Sequence, residues 1–184
     1  MIILRKFLVC LILFINLNNF VFSDQMFRDT FENNPDQRWM YFADTVMGGQ
    51  SSGAVDFGKS GQKNYARLTG TVTTKNNGGF IQIRKSISGL SENIIGINLQ
   101  AKGNNQVYHI FLRTSGTLLP WHYYKAEFSA KKAWENISIP IGDFQRSSGF
   151  LAKKIKPETI KSIGLVAFGR DFSADLMVSE IYFY

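Results

Sequence analysis

Short runs rich in Ile, Val, Phe, Tyr and Thr recur along this chain between clusters of Gly, Asn and Ser, and no long stretch repeats apolar residues at helical spacing. β-Branched and aromatic side chains suit a pleated, half-buried surface, so this punctuation predicts an all-β chain. The predicted strands are residues 26–31, 53–57, 65–72, 79–85, 94–101, 106–114, 122–128, 134–139, 162–168 and 176–184. Turns fall at 58–61, 76–78, 103–105 and 147–149, where Gly reaches positive φ freely and Asn tolerates it. Residues 157–160 begin with a proline and predict one helical turn ahead of the last two strands. Strands this short and numerous in 184 residues predict a two-sheet sandwich, most simply a jelly roll.

A composition of 45% hydrophobic and 19% charged residues can build a real core. No linker, repeat or low-complexity segment divides residues 24–184, which are expected to form a single domain. The amino terminus reads differently. Arg5 and Lys6 precede an apolar run over 7–15, and Val21-Phe22-Ser23 ends on a small residue, the pattern of a signal peptide cleaved near Ser23-Asp24. Residues 1–23 are therefore expected to direct the chain to the periplasm or outside the cell. The competing reading, an uncleaved anchor, requires a longer span, since roughly 20 apolar residues cross a bilayer. Cleavage removes Arg5, Lys6 and the lone Cys10, leaving a net-basic domain without disulfides, thiol nucleophiles or thiolate metal sites. Its lysines are dispersed, adjacent only at Lys131-Lys132 and Lys153-Lys154, which describes a solvated surface and no nucleic-acid partner.

Alternation sorts the strand residues into faces, because every second side chain shares one side. Ile95, Ile97, Leu99 and Ala101 form one apolar set, as do Tyr108, Ile110 and Leu112, and then Tyr124, Ala126 and Phe128. If these three strands are neighbours, a single outer face carries Asn98, Gln100, His109, Arg113, Tyr123, Lys125 and Glu127, with Gln82 and Arg84 extending it. Amides and guanidiniums give directional hydrogen bonds and tyrosine gives a flat platform, so this face is the candidate ligand surface. A polar face kept for solubility alone is the other reading. Trp121, after Pro120, is either a contact for a partner or a lid over the sandwich.

Residues 39–53 pass from aromatic anchors through Asp44 to Gly48-Gly49. Asp44 is read as a cap on backbone amides of a turn, in a structural loop with Gly48 and Gly49 and a second turn at Asn77-Gly78-Gly79. The competing reading is a hard-cation site, which usually gathers more carboxylates than one. His109 and His122 do not make a zinc motif, and neither a G-x-S-x-G elbow nor a phosphate loop occurs. No metal and no cofactor are therefore expected, and the chain is read as a non-enzyme. A hydrolase using paired carboxylates would rest on Asp44, Glu127, Asp143 or Asp171. Asn136-Ile137-Ser138 is a formal glycosylation sequon inside a predicted strand.

Ordered pieces run along the chain: Asp44-Thr45-Val46-Met47-Gly48-Gly49 with Ser51, then Asn77-Gly78-Gly79-Phe80 followed by Arg84, then Tyr108 with Leu112-Arg113-Thr114. Residues 124–128 follow, then Trp134 leading to Ile139-Pro140-Ile141-Gly142-Asp143-Phe144, and finally Ile163-Gly164-Leu165. From residue 39 to the C-terminus this set resembles the complex I intermediate-associated protein 30 family. The resemblance implies a galactose-binding-like jelly roll, related in shape to carbohydrate-binding modules, and no established catalytic residues. It implies an assembly factor that scaffolds a protein partner, a membrane complex in the mitochondrial member. The expected function is a non-enzymatic, extracytoplasmic binding or assembly protein. The alternative is a carbohydrate-binding module with Trp121 and Tyr123 as sugar platforms and Arg113, Gln100 and Glu127 as hydrogen-bonding groups.

Overall fold

A computed structural model describes residues 27–184. The expected signal segment and the first residue of the predicted strand 26–31 lie outside the described residues. Among the described residues twelve strands form, in order β1 (Arg28–Asp29), β2 (Met40–Ala43), β3 (Ser52–Ser60), β4 (Lys63–Val72), β5 (Phe80–Ser86) and β6 (Gly96–Gly103). Next are β7 (Gln106–Thr114), β8 (Tyr124–Ala130), β9 (Glu135–Pro140), β10 (Gln145–Arg146), β11 (Ile160–Phe168) and β12 (Phe172–Phe183). A single 3₁₀ turn covers Pro157–Thr159, as its leading proline predicts.

Two antiparallel sheets face each other. The first has the order β3-β4-β12-β6-β9, with β1 also pairing β12, and the second has the order β10-β8-β7-β11-β5-β2. This is the all-β, two-sheet jelly-roll sandwich that alternation implies. The inward sets Ile97, Leu99 and Ala101, Tyr108, Ile110 and Leu112, and Tyr124, Ala126 and Phe128 are all buried, and β11 adds Ile163, Leu165 and Ala167. Each such aliphatic or aromatic side chain taken from water contributes about 1.5–3 kcal/mol before chain entropy is counted. Tyr108 keeps its hydroxyl satisfied inside the core edge by donating to Asn104 at 2.7 Å and accepting from the Asp175 amide at 2.8 Å.

Three expectations change. Strand β6 lies in the first sheet, whereas β7 and β8 lie in the second, so Asn98 and Gln100 face away from the surface that carries His109 and Arg113. Ile95 precedes β6, where the strand alternation has not begun, and is 67% exposed instead of buried, while Ile94 beside it packs against the core. Strands β2 and β10 join the second sheet although neither stands among the predicted strands.

Asp29 fastens β1 to both sheets. Its carboxylate accepts the Phe31 amide at 2.8 Å, the Trp39 indole at 3.0 Å, the Arg38 guanidinium at 3.1 Å and Lys85 of β5 at 2.5 Å. Burial alone would raise its pKa, yet the bonds from Lys85, Phe31 and Trp39 outweigh that and hold it below the usual range.

Candidate functional site: a groove on the outer face of the second sheet

Register places the outward residues of the second sheet in rows. One row reads Met40, Arg84, Gly164, Phe111 and Lys125, and the next reads Phe42, Gln82, Val166, His109 and Glu127. Between Arg84 on β5 and Arg113 on β7, the central strand β11 offers only Ser162 and Gly164 on its outer side. Two strand spacings, roughly 10 Å, thus separate longer side chains across a floor of small ones. The result is a groove of about 570 Å³. Gly164 is needed for its depth, since a Cβ there would stand 3.0 Å from the Gln82 Oε1 and rise into the space.

Aromatic rings build the walls. Phe111 and Tyr123 stack face to face with centroids 4.1 Å apart, and Phe168 meets Phe111 edge-on at 5.2 Å. Arg84 lies over Phe42 at 4.3 Å from the ring centroid. Burial lowers the pKa of Arg84, and among the described residues no hydrogen bond or neighbouring acid offsets it. Trp121 stands on one rim, 58% exposed, and Val46 and Met47 stand on the other side of the lining.

Arg113 has a different job from the one expected of it. Its guanidinium donates to the backbone carbonyls of Thr117 at 3.0 Å, Leu119 at 2.9 Å and Pro120 at 2.8 Å, clamping the loop that ends in Trp121. Ser147 adds a second hold by donating to the Trp121 carbonyl at 2.9 Å. Arg113 therefore lines the groove as a fixed cation, with much of its hydrogen-bonding fork already occupied.

Three predicted ligand residues fall elsewhere. Gln100, carried to the opposite sheet by β6, is engaged with Lys63 at 2.7 Å, Asn136 at 3.1 Å and Ser179 at 2.7 Å. His109 and Glu127 do share the second sheet, but Phe168 separates them from the groove, and they line a neighbouring hollow of about 360 Å³ with Lys125 and Arg170. His109 Nε2 and Glu127 are 3.3 Å apart, and burial holds the His109 pKa below the ordinary value despite the opposing pull of Glu127. The residues brought together are Arg84, Arg113, Trp121 and Tyr123, with Gln82. Phe42, Val46, Met47, Ser162, Gly164 and Phe168 also line it and were not singled out as site residues by alternation; the visible hint was a glycine inside the apolar run of β11.

The Asp44 loop frames one end. Asp44 is fully buried and accepts the Ser51 amide at 2.9 Å, the Ser51 hydroxyl at 2.5 Å, the Gly79 amide at 2.5 Å and the Phe80 amide at 3.2 Å. Burial pushes its pKa up, and these four bonds together pull it below the usual carboxylate range. A side chain at Gly49 or at Gly78 would run into the carboxylate, so both positions must stay bare. Gly48 takes a φ of 87°, and in the second turn Asn76 and Asn77 both take 56°. This is the amide cap expected of Asp44, and its oxygens are committed to it. Among the described residues no group of three or more His, Cys, Asp or Glu side chains is arranged to hold a metal ion.

Solved structures with this fold include carbohydrate-binding modules. A family 11 carbohydrate-binding module of the cellulosomal cellulase Lic26A-Cel5E of Clostridium thermocellum superposes with a TM-score of 0.68 at 15% identity, covering 84% of this chain and 91% of that one. The family 11 module from Clostridium thermocellum in complex with a β-1,3-1,4-mixed-linked tetrasaccharide gives 0.68 at 18% identity, covering 86% and 93%. The K2 cleaved adhesin domain of Lys-gingipain gives 0.55 at 9% identity, covering 86% and 99%. At these identities the likeness is one of fold. No curated protein sequence matches this chain. Residues 27–177 match the family model of complex I intermediate-associated protein 30 (CIA30), and the chain belongs to that family.

Proposed function

We propose that this chain is a non-catalytic binding domain whose outer-face groove takes a carbohydrate chain. The observation that carries the reading is a trough open to solvent, with an exposed tryptophan on its rim and the unengaged Arg84 over its floor. Sugar rings present an apolar face to an aromatic side chain and directional hydroxyls to planar donors, which is the chemistry assembled here. The sandwich shared with carbohydrate-binding modules supports it. Of the expected sugar contacts, Trp121 remains as platform, Tyr123 is a wall whose one face is covered by Phe111, and Arg84 with Gln82 takes the role first given to Gln100 and Glu127.

Affinity electrophoresis against a panel of soluble polysaccharides tests the reading. Trp121→Ala should weaken binding about tenfold through loss of the stacking surface. Its melting temperature should hold, because Trp121 is exposed. Gly164→Leu, which fills the floor at a residue with ordinary backbone angles, should abolish binding and lower the melting temperature by only a few degrees. Retardation of wild type and both variants alike would contradict the groove as the site.

Scaffolding of a protein partner is a second reading, favoured by family membership and by the exposed Val46, Met47, Leu118 and Leu119. It predicts stable association with subunits of a membrane complex, lost in Met47→Glu, with no polysaccharide retarding the chain.

A further inference from the structure

We propose that the groove is built for an acidic glycan, with a carboxylate or sulfate of one sugar unit seated over Ser162 and Gly164 between Arg84 and Arg113. The proposal rests on the carbohydrate reading and names its ligand class.

Charge is the ground for it. Among the described residues two guanidiniums line the groove, and no Asp or Glu does. Arg84 takes part in none of the ion pairs among the described residues. A neighbouring carboxylate would raise its pKa, and the only influence acting is burial, which lowers it. Arg113 is lowered by burial too, and further by the charge of Arg84, so the two cations repel each other across the floor. The three carbonyls that hold Arg113 are neutral and leave its charge uncompensated.

A neutral sugar would fill this space and leave the repulsion in place. An anion on the floor removes it, and the free fork of Arg84 can meet a carboxylate or sulfate through two parallel hydrogen bonds. The small residues Ser162 and Gly164 leave the room that such a group requires. The same sign continues along the face. Beyond Phe168, Lys125 and Arg170 line the adjoining hollow against Glu127 alone, and Arg170 is held in place over Phe172 at 4.0 Å and by Gln106 at 2.8 Å. Cations at intervals along one surface suit a chain with repeated negative charge.

Titration calorimetry of the full chain with a polyuronate, its carboxyl-reduced counterpart, a sulfated polysaccharide and a neutral β-glucan decides the matter. The acidic polymer is expected to bind at least tenfold more tightly than the neutral one, and to weaken as salt rises. Binding of the polyuronate without the sulfated polymer assigns a carboxylate, and the reverse assigns a sulfate. Arg84→Gln should erase the preference with the melting temperature unchanged, and Arg84→Lys should keep part of it. Where the polyuronate binds, equal affinity for its carboxyl-reduced counterpart, or full affinity of Arg84→Gln for any acidic polymer, overturns the acidic ligand and leaves the carbohydrate reading standing. Failure of every polysaccharide to bind removes both. Duplex DNA binding as tightly as the polyuronate also overturns the proposal, because attraction without sugar recognition would then account for the result.

Discussion

Asp44→Ala should lower the unfolding free energy by about 4 kcal/mol, since three backbone amides and one hydroxyl lose a buried acceptor at a stroke. The Ser51 hydroxyl can turn to the Thr73 carbonyl at 3.2 Å, but the three amides are left without an acceptor, because the carboxylate is fully buried and closely lined by Gly49 and Gly78. Asp44→Asn keeps the volume but turns an NH₂ toward donors, and should cost about 3 kcal/mol. Urea unfolding at neutral pH reads both: the midpoint should fall with little change in slope. Because the same loop carries Val46 and Met47 to the groove, ligand affinity should fall with stability. A loss below about 1 kcal/mol in Asp44→Ala would mean that the amides find water or other acceptors, against the buried cap described above.

Asp29→Asn should cost about 3 kcal/mol, the lower end of the usual penalty for breaking a buried ion pair, because the carboxylate is buried but its partner Lys85 keeps some contact with water. Lys85 is the group stranded, with Arg38 and the Trp39 indole losing a partner as well. Acid should act in the same direction on the unaltered chain. Asp29 and Asp44 both have folded pKa values below the ordinary 3.8, so near that pH the unfolded chain binds protons that the folded one refuses. Their stabilisation is therefore complete above about pH 5 and is lost progressively as the pH falls below about 4. Urea midpoints should be level from pH 7 to pH 5 and then drop, with a shallower drop in Asp29→Asn. Asp171 and Asp175 are also held low, by Thr74 and by Arg67 respectively, so one substitution reduces the acid sensitivity without abolishing it. Superimposable pH profiles for wild type and Asp29→Asn would contradict the role given to this carboxylate.

Much of the fold was legible because a strand with one wet face writes its own alternation. β7 falls on residues 106–114 as expected, and its inward Tyr108, Ile110 and Leu112 are fully buried. β2 was harder, since Met40–Ala43 has no alternation and becomes a strand only by pairing with β5. β12 begins at Phe172, ahead of the expected residue 176, because pairing with β4 extends it through polar residues such as Ser173 and Asp175.

The site was legible in pieces. Alternation correctly turned Arg84, Gln82, Arg113 and Tyr123 outward, and the Asp44 cap followed from one carboxylate beside two glycines. Strand neighbourhood is set by long-range pairing, which local patterns do not encode, and so Gln100 was assigned to a face it does not share. Side-chain reach was equally hidden: nothing local indicates that Arg113 turns back onto the carbonyls of its own following loop, or that Phe168 divides His109 from the groove. The emptiness of the floor comes from Ser162 and Gly164, whose effect depends on arginines two strands apart.

Everything proposed for this chain depends on ligand meeting the outer face of the second sheet. Heteronuclear NMR titration with the best-binding soluble polysaccharide tests that most directly, reading backbone and side-chain N–H signals together. Shifts should gather at the Trp121 indole, the Gln82 amide, the Arg84 guanidinium and the backbone of Ser162 and Gly164. Shifts centred on Asn98, Gln100 and Asn136 of the first sheet would contradict the account.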